Sequence, residues 1–315
     1  MDNLSNSIYT YYIEHFAELP ISTKLHFASR LWLWNTDPVA RGLLDQSRSE
    51  VIKSENAEDV LRALSSGTLV SIGKGTATAQ AIRAPYVKRY PQLRNISATL
   101  YWAALLDAVY GTDLRSAIDK VFDLGVLHDL YNQLLHDNAA LAILSTHAVN
   151  FLYLCATYLK QTEIPNPEHF LRLVVDEHIY DVTDHRQTQL AIYLLTHSII
   201  GETGFYVRAI SPERLPAYRQ QIQALENLMH TDFASVHLDN KFEFLVCCRL
   251  TGYNSSLKAD IFSEAARSVS THGDFLVDTL NTNADSPYAS FEKSEHRNSL
   301  FLLATTEPQL ALQAL

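Results

Sequence analysis

"QTQLAIYLLTHSIIG", residues 187–201, carries apolar side chains on every side of a 3.6-residue helix and no charged residue. A helix with no wet face is stable only when protein surrounds it. Shortly after it, "SPERLPAYRQQIQALENLMH" (211–230) follows a different pattern. Leu215, Tyr218, Ile222, Leu225 and Met229 form one stripe, with Arg, Gln and Glu opposite. That is a helix with one face in water, and Ser211 with Pro212 supplies a start signal. A buried helix followed by a wet-sided one is the unit from which the fold is built.

The same alternation extends in both directions. "NAALAILSTHAVNFLYLCATYL" (138–159), "KFEFLVCCRL" (241–250) and "HRNSLFLLA" (296–304) have almost no wet face, and "STKLHFASRLWLW" (22–34) and "SATLYWAALLDAVYG" (97–111) resemble them. "PEHFLRLVVDEHI" (167–179) and "SLKADIFSEAARSV" (256–269) are amphipathic, with Phe170, Leu173 and Val174, and Leu257, Ile261, Ala265 and Val269, on their apolar faces. The opening helix, one near 44–64 and the stretch 114–135 read as further wet-sided elements. About six helices of each kind, repeating every roughly 50 residues in the second half, imply two concentric layers. The expected fold is all-α: one α/α toroid of about six helical hairpins over 1–315, with irregular loops near 66–95 and 271–293. An open α-solenoid is the alternative.

Composition bounds the rest. The chain has 315 residues, 47% of them hydrophobic and 19% charged, enough to bury a large core. A formal charge of −10 argues against nucleic acid as a partner. "MDNLSNSIYTYYIEHF" has neither a basic region nor a long apolar run, and no stretch suggests a membrane span, so a cytoplasmic protein is expected. Cys155, Cys247 and Cys248 all lie in apolar helical sequence and read as reduced core thiols.

Polar residues recur once per hairpin on the buried helices: His147, His197, Glu243 and His296, with His26 as a further member. Histidine–acid groups, His136/Asp137, Asp184/His185, His237/Asp239 and Glu295/His296, stand at or near the expected N-termini of four buried helices. Capping explains the acids, with Asp239 the clearest cap, but a helix N-terminus opposes a protonated histidine. With parallel buried helices, His185, Asp239, Glu243 and His296 share one mouth, and His147 and His197 lie about 17 Å deeper at ~1.5 Å per residue. One compact site cannot use all six unless the helix starts are staggered.

The mouth set offers two chemistries. His185, Asp239 and His296 match the ligand types of zinc or another divalent metal. The same residues with Glu243 and no metal make a general acid–base set. HExxH and GxSxG motifs are absent, and "GTLVSIGKGT" lacks the spacing and the Ser/Thr of a phosphate loop. From Ser66 to Asn95 the chain carries Lys74, Arg83, Lys88, Arg89 and Arg94 and no acid. That stretch reads as a surface loop or as a dock for an acidic peptide or phosphate group, with Lys88 and Arg89 gripping it and Tyr86 and Tyr90 adding flat area. The segment 271–293 reads as a surface connection or a lid across the mouth.

The alternation of helices resembles the α/α toroids of lanthipeptide cyclases, terpene cyclases and protein prenyltransferase β-subunits, some of which hold zinc near the ring axis. The cyclases' Cys and Cys-His ligands and the terpene cyclases' Asp-rich motif have no counterpart here. "YLLTHSIIGETGFY", "LDNKFEF" and "SEHRNSLF" are also similar to a group of uncharacterised bacterial helical proteins, some near peptide natural-product genes, which implies peptide natural-product biosynthesis. Two functions are therefore expected. One is an enzyme acting on a peptide or small metabolite at the mouth. The other is a non-catalytic scaffold whose 66–95 loop, with Lys88 and Arg89, and mouth grip an acidic peptide or partner protein; His147 and His197 are further candidate ligand-binding residues.

Overall fold

The computed structural model describes residues 2–68, 77–159, 164–176, 179–181, 184–270, 273–278 and 290–310. In chain order the helices are α1 (Asp2–Glu14), α2 (Ile21–Asn35), α3 (Pro38–Val51), α4 (Ala57–Ser65), α5 (Ala77–Arg89), α6 (Leu93–Tyr110), α7 (Ile118–Val121) and α8 (Leu124–His136). They continue with α9 (Asn138–Leu144), α10 (Thr146–Tyr158), α11 (Pro167–Val175), α12 (His185–Glu202), α13 (Leu215–Thr231), α14 (Leu238–Thr251), α15 (Lys258–Arg267) and α16 (Phe291–Thr305). The described residues contain no strand beyond an isolated bridge from Val269 to Leu276, so the protein is all-α. The chain divides into two compact units, Met1–Ser47 with Tyr206–Leu315, and Arg48–Phe205.

In the first unit the buried helices α2, α14 and α16 lie side by side. Their cross-helix pairs give the direction. Asp239, Phe242 and Arg249 on α14 meet Arg297, Phe301 and Ala304 on α16, while His26, Arg30 and Trp34 on α2 meet Glu295, Ser299 and Thr306. Numbers rise together on both members of each pair, so the neighbours are parallel. Parallel neighbours need a helix between them in sequence to carry the chain back, and the amphipathic α15 does this between α14 and α16. Phe242, Phe244, Leu300 and Phe301 are fully buried, each contributing about 2–3 kcal/mol by removal from water.

The second unit repeats the arrangement with α6, α10 and α12. Asn150 and Tyr153 on α10 meet His197 and Ser198 on α12, and Tyr158 reaches Asp107 near the end of α6. Asn166 caps α11 and Asp184 caps α12 through backbone N–H groups two residues on, which starts each helix where the sequence signals it.

Three expectations change. The continuous helix read over 138–159 is broken at Ser145, whose backbone adopts φ 39°, ψ −105°, and α9 and α10 meet at 109°. His147 therefore stands in a first helical turn. His197 stays deep in α12, as expected, and the two histidines still lie near each other although only His147 is at a helix start. Much of the stretch read as an irregular loop at 66–95 is α5, where four alanines outweigh the break at Pro85. Asp239 is not a cap: His237 holds the N-cap position of α14 without a side-chain capping bond, and Asp239 turns to Arg297. Residues 271–272 and 279–289, the core of the expected lid, lie outside the described residues.

Among the described residues no single helix is long and apolar enough to cross a membrane; α9 and α10 pass only as a sharply bent pair. All three cysteines are buried thiols outside any disulfide, and burial pushes them up.

Candidate functional site

The richest polar cluster of the first unit lies where α2 meets the opening turns of α16. Helical spacing sets it out: His26 and Arg30 are four apart on α2, and Glu295, His296 and Ser299 occupy adjoining turns of α16. His26 Nδ1 is 2.8 Å and 3.0 Å from the two carboxylate oxygens of Glu295. Arg30 Nη1 donates to His296 Nδ1 and to Ser299 Oγ, each at 3.1 Å. The two imidazole rings are 5.5 Å apart. His26 keeps 19% of its side chain exposed whereas Glu295 keeps 5%, so the carboxylate lies behind the ring and the ring reaches solvent.

The charges are arranged so that His26 stays neutral. Burial and the Arg30 guanidinium lower its pKa, and Glu295 opposes them without prevailing. A neutral ring whose Nδ1 hydrogen points at a carboxylate carries its lone pair on Nε2. His296 is the reverse: its Nδ1 accepts from Arg30, so in the neutral ring the hydrogen sits on Nε2.

A second set flanks the first on α14. Arg297 Nε lies 2.6 Å from Asp239 Oδ1, and His237 Nδ1 lies 2.7 Å from Asp278 Oδ2. The bond to Asp278 raises the pKa of His237 against burial. Burial raises that of Asp239, with Arg297 opposing and Asp278 adding to the rise. Asn298 pins the chain before Asp278, accepting from Leu276 N at 2.8 Å and donating to Leu276 O at 3.1 Å.

The residues expected from sequence separate accordingly. Asp239 and His296 belong to the first unit's cluster, joined by His26, His237 and Glu295. Glu243 is on α14 and only 2% exposed, a core position. His185 is exposed on α12 of the second unit. Lys88 is exposed, and Arg89 forms an ion pair with Asp137, to which Tyr90 also donates at 2.8 Å. That pair fastens α5 to the N-cap of α9. His147 and His197 come together in the second unit, with His197 Nδ1 2.8 Å from Asn150 Oδ1.

The ligand set His185, Asp239 and His296 does not fit a metal. Asp239 and His296 each face a guanidinium, which competes for the lone pairs a cation needs, and no three His, Cys, Asp or Glu side chains among the described residues gather as a metal site. Sequence reasoning missed Arg30, Arg297 and Asp278. The two arginines carried a signal: each is a charge in a stretch with almost no wet face, "STKLHFASRLWLW" and "HRNSLFLLA", and both prove at least nine-tenths buried. Asp278 had none, because only the bridge after α15 brings it to His237.

The second unit also holds a cavity of about 660 Å³ lined by Arg115, Asp119, His128 and Tyr158 among others, and none of the residues singled out in the sequence borders it. No family model, curated protein or solved structure matches the chain.

Proposed function

We propose that the protein is an acid–base enzyme acting on a peptide or small metabolite at the α2–α16 cluster. The observation that carries this reading is the partly exposed His26 ring held through Nδ1 by both oxygens of a nearly buried Glu295. In that role Glu295 fixes the tautomer and orientation, and His26 Nε2 takes a proton from the substrate. His296 gives a proton from Nε2, and Arg30 holds His296 in place and supports negative charge developing nearby. Proton transfer from one ring and to the other suits an elimination, addition or hydrolysis. No step runs through a metal. The α/α-toroid reading belongs to this proposal, supported by the parallel buried helices within each unit.

The test is turnover. Peptide and metabolite mixtures incubated with the protein and with His26→Gln are compared by mass spectrometry. A product formed by the native chain and reduced about 10²–10⁴-fold in the variant, with its circular dichroism unchanged, is expected. Equal turnover by the variant overturns the assignment. Because the pKa of His26 is lowered, the acid limb of the pH–rate profile should fall below pH ~6.5. The divalent-metal expectation is checked separately by elemental analysis of protein purified without chelator. A stoichiometric metal overturns the metal-free form of the reading.

A further inference from the structure

The second unit gathers cationic groups around the break between α9 and α10. Arg83 of α5 lies across the break, donating from Nε to Ile143 O and from Nη2 to Ser145 Oγ, both at 3.2 Å. Ser145 is wholly buried and forms the strained corner. Arg94 in the first turn of α6, His147 in the first turn of α10 and His197 on α12 complete the group. Arg83, Arg94 and His197 all act electrostatically on His147, and Arg94 acts on Arg83. No carboxylate among the described residues acts on either.

Two observations set this apart from a solvated basic face. Arg94 Nε is sealed from solvent and has no hydrogen-bond partner among the described residues. The thirteen-residue α10 starts at the same place with no side-chain cap, which leaves its first-turn N–H groups without an acceptor from Ser145. Burial, the arginines and His197 together hold His147 down at about 4, so the ring is neutral at pH 7 and the net positive charge is that of the guanidiniums. Like charges that act on one another with no offsetting carboxylate among the described residues weaken the folded state, and an anion between them reverses that sign.

We propose that Arg83, Arg94, His147 and the N-terminal turn of α10 form a binding site for the phosphate group of a small molecule. A phosphate matches the donors present: planar guanidiniums that bind oxyanions in pairs, and backbone N–H groups at a helix start.

The experiment uses inorganic phosphate as the probe on the full chain, at constant ionic strength and pH 7, with chloride and acetate as comparison anions. Thermal melting and isothermal titration calorimetry are read together. Phosphate is expected to raise the melting temperature in a saturable manner that chloride and acetate do not reproduce. Arg94→Gln is expected to bind phosphate at least tenfold more weakly. Without phosphate the same variant should melt at or above the native temperature, since a like charge has been removed. Arg186→Gln, an exposed change outside the cluster, should keep the full phosphate effect. Equal shifts with phosphate and chloride overturn the proposal, as does an Arg94→Gln chain that retains native phosphate affinity. Saturable stabilisation by acetate equal to that by phosphate overturns the assignment to phosphate. If Arg94→Gln does not fold, His147→Gln replaces it with the same expected loss of affinity. None of these readouts depends on catalysis by His26.

Discussion

Glu226 lies on the amphipathic helix α13, yet its side chain is only 8% exposed. Burial would raise its pKa, but Tyr253 Oη, Ser255 Oγ, and Ser256 N and Oγ all donate to it and bring it down to about 2. The ordinary glutamate value is ~4.3, so the stability this carboxylate contributes is complete above about pH 4.5 and lost as pH falls toward 2. Glu226→Gln should therefore lower the melting temperature at pH 7, with the gap to the native chain closing across that window. A gap that stays constant from pH 6 to pH 2.5 contradicts the assignment. The stripe of Leu215, Tyr218, Ile222, Leu225 and Met229 reads directly from the sequence, and its last four members are buried. The burial of Glu226 does not, because its donors come from the turn after α14, and periodicity registers only neighbours along one helix. The same limit explains the candidate site: Glu295 and His296 stood out in "KSEHRN", whereas the partner that orders each of them arrives from α2.

At the scale of helices, close packing of α10 on α12 depends on Gly201. A Cβ there would lie 2.5 Å from Tyr153 Cδ2 and 2.7 Å from Cγ, and the ring cannot swing away without losing its 3.3 Å bond to Ser198. Gly201→Ala should therefore destabilise by about 1–3 kcal/mol through overpacking. Gly42 on α3 has open space around its would-be Cβ, so Gly42→Ala should stabilise by about 0.5–1 kcal/mol through helix propensity alone. Denaturant midpoints of the two variants should move in opposite directions; movement of both in the same direction refutes the packing argument. The alternation of buried and wet-sided helices was legible because burial on all sides and burial on one side leave different periodicities. The break at Ser145 was hidden, since neither Gly nor Pro marks it and Arg83, which bonds across it, lies some sixty residues upstream. The helix α5 was hidden by its own punctuation: Pro85 and the three preceding glycines drew the reading toward a loop, although Ala77, Ala79, Ala81 and Ala84 favour a helix.

Over the whole molecule, the two units differ in how the chain builds them. The second is one continuous stretch, Arg48–Phe205, whereas the first joins Met1–Ser47 to Tyr206–Leu315. The junction within the first unit is made by α1 and α2 against α16: Tyr12 Oη donates to Phe291 O at 2.9 Å, and Gln309 N donates to Trp34 O at 2.6 Å. Those contacts span about 270–280 residues of sequence, as the Tyr12–Phe291 separation of 279 shows. Closing so long a loop costs conformational entropy before any contact repays it, and long-range contacts slow folding. Once the second unit has folded, the effective loop shortens and the first unit's closure becomes less costly. The second unit should therefore acquire protection first. In pulsed hydrogen exchange read by mass spectrometry, peptides from 93–110, 146–158 and 185–202 are expected to become protected before those from 21–35 and 291–305. The peptide 238–251 should follow α16, because α14 packs against it. Earlier protection of α2 and α16 would mean that the chain ends meet before the intervening stretch folds, and loop closure would not then set the order of assembly.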